Sequence, residues 1–193
     1  HSKTTFILSK LTYNLFKVLD SVTLPFLGGR DFDDEIYNDV CQKFNTENNI
    51  DISKNKKTKL RLIPPIMKAR KALTVNKDAQ IIVDSLAEDV DFSLLLTRDD
   101  YEKLIMNKVG IFKNELINFC NRNKQIYPDI CLTNVEMAGE LMRTPALEKV
   151  VKEVLGLEMS KTILIDECIS VGNSLYGALL KGCFPIKGFN GIY

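Results

Sequence analysis

The order of patterns along these 193 residues predicts an α/β fold whose sheet is interrupted by an inserted helical and hairpin subdomain. Two observations carry it. β-branched and aromatic runs open the chain at residues 4–8 and 15–19, and alternating apolar residues return at 78–86 and 91–96. Between and after these runs lie stretches with apolar residues at helical spacing. With 45% of its residues hydrophobic, the chain is able to bury a substantial core.

The two opening runs read as antiparallel strands separated by polar residues around Tyr13-Asn14. They lead into Pro25-Phe26-Leu27-Gly28-Gly29-Arg30-Asp31-Phe32-Asp33. Paired glycines there allow φ > 0 and close approach of a ligand. Asp31 or Asp33 is placed to cap the following helix, and Asp34 and Glu35 suit its positive end. A strand, a glycine turn and a helix start together form an element suited to cradling a phosphate. From Asp33, residues Ile36, Tyr37, Val40, Cys41 and Phe44 share one helical face. Residues 45–59 read as a polar connection, with Ser53 a candidate cap for a second helix. Pro64-Pro65 should break or kink that helix, leaving 66–73 as a separate piece.

In the hairpin at 78–96, Ile81 and Val83 face one side and Ile82 and Asp84 the other. Thr97-Arg98-Asp99-Asp100 resembles a capping box, opening a helix whose stripe is Leu104, Ile105, Val109, Phe112, Leu116 and Phe119. Residues 121–129 read as a loop and 130–138 as a strand ending at Gly139. Thr144-Pro145 starts a helix carrying Val150, Val151, Val154 and Leu155, and Gly156 ends it. Asp166 or Glu167 caps a last helix over 169–180, where Gly172 and Gly177 suggest close packing on a neighbour and Gly182 follows. Residues 184–193 read as an extended tail.

Composition excludes several function classes. Lys and Arg number 26 against 25 Asp and Glu, so a net charge of +1 offers no electrostatic case for nucleic acid or an anionic membrane. No apolar run has the length of a membrane span, and no signal-peptide pattern opens the chain. The five cysteines (Cys41, Cys120, Cys131, Cys168 and Cys183) are scattered among apolar residues and read as reduced, buried thiols of a cytoplasmic protein. The single histidine, His1, excludes a Ser-His or Cys-His pair and any multi-histidine metal site.

The string around Gly28-Gly29-Arg30-Asp31 resembles the heat-shock seventy (DnaK-type) chaperones. Arg30 selects their heat-shock one-hundred-ten, nucleotide-exchange branch, because ordinary DnaK-type chaperones usually carry Glu there. The resemblance covers nearly the whole chain. It implies the second lobe of an actin-like (ribonuclease H-like) ATPase domain, with residues 1–28 and 106–183 forming the sheet-bearing subdomain and 29–105 the inserted one. The family has one continuous helix across Pro64-Pro65, so the resemblance implies a kink there and not a break.

The resemblance also implies an ATP or ADP site made of three stretches. In the glycine turn, Gly28, Gly29 and Asp31 match. In the helix pattern Glu-x-x-Lys-Arg-x-x-Ser, which holds ribose and adenine, Arg70, Lys71 and Thr74 keep the chemistry, whereas Met67 lacks the carboxylate that accepts ribose hydroxyls. In Gly-Gly-x-Thr-Arg-x-Pro, Gly139, Arg143 and Pro145 match while Glu140 replaces a glycine. Glu140 is therefore expected to repel the nucleotide unless it turns away or finds a cation, with Arg143 a candidate partner. Asp166 matches an aspartate near the base. His1-Ser2 matches the end of an Asp-x-Gly-His-Ser loop or is a tag remnant. Mg and the catalytic lysine belong mainly to the other lobe, so the chain by itself is not a competent ATPase. Expected partners are a DnaK-type chaperone's ATPase domain and, through regions outside this chain, unfolded clients. A nucleotide-free docking module is the rival reading, and a sugar or acetate kinase of the same broad fold is a third.

Overall fold

In a computed structural model, which describes residues 2–12, 15–160, 164 and 167–181, the elements run β1 (Lys3–Thr12), β2 (Leu15–Pro25), α1 (Gly29–Asn48), α2 (Lys56–Ala72), β3 (Asp78–Ala87), β4 (Val90–Thr97), α3 (Arg98–Ile126), β5 (Val135–Glu136), a 3-10 turn (Glu140–Arg143), α4 (Pro145–Leu155), β6 (Met159–Ser160) and α5 (Cys168–Lys181). This is a mixed helix and sheet structure. Where one interrupted sheet was expected, the described residues form three two-stranded sheets: antiparallel β1-β2 and β3-β4, and parallel β5-β6. The strand expected over 130–138 shrinks to Val135–Glu136 because only those residues find a partner ladder, on β6, while Ile130 and Leu132 stay exposed.

The first hairpin pairs from Lys3↔Pro25 to Thr12↔Leu15, longer than its hydrophobic runs, with a register shift between Leu8 and Ser9. The polar pair Tyr13-Asn14 lies outside the described residues. Phe6 seats the hairpin on α3, its ring 5.2 Å from Phe112 and 5.8 Å from Phe119. The second hairpin follows the expected alternation, Ile81 and Val83 buried and Ile82 and Asp84 exposed. Glu88 and Asp89 turn it with positive φ at both positions, the conformation that matches the twist of paired strands.

Helix α1 is longer than expected at both ends. It starts at Gly29 and continues through residues read as a polar connection to Asn49, whose left-handed φ of 56° ends it with an N–H bond to the Asn45 carbonyl. Its buried stripe of Phe32, Ile36, Val40 and Phe44 packs with Leu62, Ile66 and Ala69 of α2, Ile81 of β3, Phe92 and Leu96 of β4, Ile105 and Phe112 of α3, and Leu147 and Val150 of α4 in one core.

Two expectations about α2 are corrected. Its cap is Asn55, whose Oδ1 accepts from the N–H groups of Lys57 and Thr58 at 3.0 and 3.3 Å, while Ser53 closes a turn on Asp51. The helix is also unbroken through Pro64-Pro65. An interior proline costs about 3 kcal/mol, chiefly through a lost N–H and a clash with the preceding turn. The carbonyls deprived of partners belong to Leu60 and Arg61, both on the solvent face, while Leu62, Ile66 and Ala69 pack the opposite face against the core. Burial of that face offsets the penalty.

Helix α3 runs on through the expected loop to Ile126. Its last turn is tied to β2: Arg122 and Asn123 donate to the Asp20 carboxylate, Asn123 at 2.7 Å, and the Tyr127 hydroxyl donates to the Leu19 carbonyl at 3.2 Å. At its start Thr97 Oγ1 accepts from the Asp100 N–H at 3.2 Å, as expected. Thr144 stands at the cap position of α4 without a side-chain capping bond, and Gly156 closes that helix with φ 68°. Among the described residues, a Cβ at Gly172 or Gly177 meets nothing within 4 Å and α5 has no buried residue, so the close packing expected at these glycines has no described partner. Cys41 is buried, Cys120 and Cys168 half-buried and Cys131 exposed, so burial is not general among them. Asp166, Gly182, Cys183 and the 184–193 tail lie outside the described residues.

The Arg122 hydrogen bond, followed by that of Asn123, holds the Asp20 carboxyl below its ordinary value of 3.8. A depressed folded-state pKa means that this tie stabilises fully above pH 3.8 and is lost as pH falls through the lower folded value. Asp20→Asn is expected to flatten the acid limb of a stability-versus-pH curve below about pH 4 and to speed amide exchange over 121–126; unchanged exchange there would show that the helix end does not depend on the tie.

Candidate functional site

The site is built where β2 hands over to α1. Phe26 takes φ 59°, Leu27 is buried, and Gly28 is extended (φ −109°, ψ 178°) as the N-cap of α1. Neither Gly28 nor Gly29 uses positive φ, contrary to expectation, because an extended cap followed by helix needs no left-handed residue. Both glycines are buried. Asp31 caps from inside the first turn: its Oδ2 accepts the Gly28 N–H at 2.7 Å, one half of a capping box, since glycine has no side chain to reciprocate.

Asp33, read as an alternative cap, turns into the core. Its Oδ1 accepts from Arg70 Nε at 2.6 Å, and the two side chains are only 6% and 2% exposed. Burial pushes the Asp33 carboxyl above its ordinary value, with the Arg70 bond pulling the other way. Arg70 was expected to lie against a base; its guanidinium is instead enclosed in the protein, because α2 presents it on the same face as Ile66 and Ala69. Lys71, the next residue, emerges half-exposed and holds Glu140 Oε1 at 2.8 Å, while the other Glu140 oxygen lies 3.9 Å from Arg70 Nη2. Glu140 has thus found a cation, and it is Lys71 and not Arg143.

The chain Asp33–Arg70–Glu140–Lys71 joins α1, the end of α2 and the 3-10 turn, so each of the three stretches singled out in the sequence contributes to one place. Thr74 sits just past α2, its hydroxyl donating to the Lys71 carbonyl at 2.8 Å. Gly139 takes φ 93°, a conformation side chains rarely adopt, and no described residue comes within 4 Å of where its Cβ would stand. Arg143 is exposed at the far end of the turn and makes no ion pair among the described residues. Asp166 lies outside them.

Two residues of the cluster carried no signal in the sequence. Tyr101, buried at the start of α3, and Thr144, buried before α4, bring hydroxyls to the same polar interior; burial pushes the Tyr101 phenol well above its ordinary value. Asp33 Oδ2, Arg70 Nη1, Tyr101 Oη and Thr144 Oγ1 are all buried without a regular hydrogen bond. Tyr101 precedes the apolar stripe that begins at Leu104 and Thr144 reads as a cap, so neither position advertises this environment. Among the described residues no cluster of His, Cys, Asp and Glu is able to hold a metal ion, and no helix is long and apolar enough to cross a membrane.

Comparison with known proteins adds to this geometry. The family model described as "Hsp70 protein" matches residues 2–190. The chain is 31% identical over 173 residues to "Heat shock protein 88" of Dictyostelium discoideum, covering 90% of this chain and 22% of that protein. It is 31% identical over 173 residues to "Heat shock 70 kDa protein 14" of Arabidopsis thaliana, covering 90% and 21%. It is 26% identical over 175 residues to "Heat shock 70 kDa protein 4L" of Homo sapiens, covering 90% and 21%. The chain therefore spans about a fifth of the length of these relatives.

The ion pair yields a direct test of the site's architecture. Arg70→Met leaves Asp33 buried and unpaired, an imbalance that costs about 3–5 kcal/mol, whereas removing both charges is close to neutral. Urea denaturation should show Arg70→Met strongly destabilised and Arg70→Met with Asp33→Asn recovering most of the loss. An additive double variant would mean that the pair is not coupled.

Proposed function

The chain belongs to the Hsp70 protein family, and from that membership we propose that this chaperone-family domain is the second lobe of an actin-like ATPase domain in a nucleotide-exchange partner of a DnaK-type chaperone. In this reading residues 1–28 and 106–183 form the sheet-bearing subdomain and 29–105 the inserted one, and the full protein works in the cytoplasm. ATP or ADP binds with Mg supplied mainly by the other lobe, and clients bind elsewhere on the full protein. The observation that carries the reading is the convergence of the glycine-turn helix, the end of α2 and the Gly139-Glu140 turn on one charged cluster.

The residues fit a nucleotide in part. Lys71 offers a half-exposed cation to lie against the base, Thr74 a hydroxyl for its edge, and Gly139 a backbone approach that no described side chain obstructs. Met67 offers no carboxylate for ribose hydroxyls, so Lys71 and the backbone would carry more of the recognition. One observation favours a nucleotide-free docking module instead: Arg70 is spent on Asp33 and Lys71 on Glu140 inside the chain itself.

Calorimetric titration with ATP separates the two. A protein carrying both lobes is expected to bind ATP, whereas the present chain alone binds weakly because half of the site and the metal ligands lie in the other lobe. Micromolar or tighter affinity of the isolated chain contradicts the two-lobe assignment, and no binding by the two-lobe protein favours the docking module. Deleting 29–105 from the full protein should abolish acceleration of nucleotide release from the partner chaperone. An unchanged release rate contradicts the exchange role of that segment.

A further inference from the structure

We propose that the polar interior around the Arg70–Asp33 pair is an internal water-binding site, in which ordered water bridges that pair to the hydroxyls of Tyr101 and Thr144. Asp33 Oδ2, Arg70 Nη1, Tyr101 Oη and Thr144 Oγ1 are all buried without a regular hydrogen bond. Such atoms are seldom left unmatched, because a buried donor or acceptor has lost its hydration without a replacement. Bulk solvent does not reach them: Tyr101 is 2% exposed and Thr144 1%, and both side chains of the pair are enclosed. The four groups also neighbour one another. Arg70 Nε donates to Asp33 Oδ1 at 2.6 Å, and the Tyr101 phenol, raised first by burial, is acted on next by Arg70, Thr144 and Asp33.

The chemistry of the set selects the ligand. Arg70 Nη1 is able only to donate and Asp33 Oδ2 only to accept, while the two hydroxyls do either. An anion would meet the Asp33 charge and a cation the Arg70 charge, so a neutral molecule with both donors and acceptors fits. Water is the smallest of that kind, as a closely packed core requires. Buried water makes about three hydrogen bonds to groups that are otherwise unmatched, and this cluster offers that number of partners. The partners come from separate elements: Asp33 from α1, Arg70 from α2, Tyr101 from α3, and Thr144 from the junction of the 3-10 turn with α4. Thr144 makes no capping bond of its own, so its hydroxyl is left to the interior. Water held there ties the start of α4, and with it the Gly139-Glu140 turn, to the ends of α1 and α2. The site does not depend on nucleotide.

The test is a crystal structure of a protein carrying both lobes, at a resolution that shows ordered water, together with that of its double variant Tyr101→Phe with Thr144→Val. The parent is expected to show water within about 3.2 Å of an atom of the Arg70–Asp33 pair and of the Tyr101 or Thr144 hydroxyl. The variant keeps nearly the same shape but loses both hydroxyls, and the water is expected to be gone from it. In solution, magnetic relaxation dispersion of water oxygen should register fewer long-lived waters in the variant than in the parent. Direct hydrogen bonds among the four atoms with no water between them overturn the proposal, as does a bridging water that stays unchanged in the variant. If the variant does not fold, the parent structure decides: a bridging water supports the site, and its absence overturns it.

Discussion

The arrangement of the charged cluster depends on one buried ion pair, Arg70 with Asp33. Two charges enclosed this deeply are tolerated only because each is the other's partner, so the first turns of α1 and the last turn of α2 are obliged to meet. That constraint sets the direction in which the next residue leaves the core, and it brings Lys71 out beside the 3-10 turn. The pair is incompletely satisfied, with one oxygen of Asp33 and one nitrogen of Arg70 lacking a regular hydrogen bond. The Tyr101 and Thr144 hydroxyls in the same condition add to a polar interior where the surrounding packing, not polar satisfaction alone, holds the groups in place.

The route by which Arg70 reaches Asp33 explains why α2 carries two prolines and stays whole. A helix broken at Pro64 would let its second half take its own direction and lose the register that puts Leu62, Ile66, Ala69 and Arg70 on one face. The hydrogen bonds the prolines remove belong instead to Leu60 and Arg61, residues on the exposed side of the helix, where their carbonyls are open to solvation. The tie from α3 to β2 works on the same principle. Asp20, Arg122 and Asn123 convert residues with loop-like composition into helix by supplying partners from another element.

The family's features are thus redistributed in this chain. A cation of α2 that is expected to face a ligand, Arg70, has become part of the core, and the acidic residue standing in place of a glycine, Glu140, has been drawn to the remaining cation. The same contacts support a nucleotide site and a nucleotide-free docking surface.

The sequence alone determined much of this. Period-two alternation placed the β3-β4 hairpin and its buried face, helical spacing placed the cores of α1 and α3, and Thr97 and Gly156 marked helix ends through local bonds. The Gly28-Gly29-Arg30-Asp31 string and the Arg70-Lys71 pair disclosed the family and the stretches that meet. The tertiary structure decided the rest, because each remaining choice depended on a partner far along the chain. Asp33 became a core residue and Asp31 a cap only because Arg70, 37 residues away, arrives beside one and not the other. Glu140 turned to Lys71 and away from Arg143 for the same reason: local spacing offered both cations, and only the packing of α2 against the 3-10 turn brought one within reach.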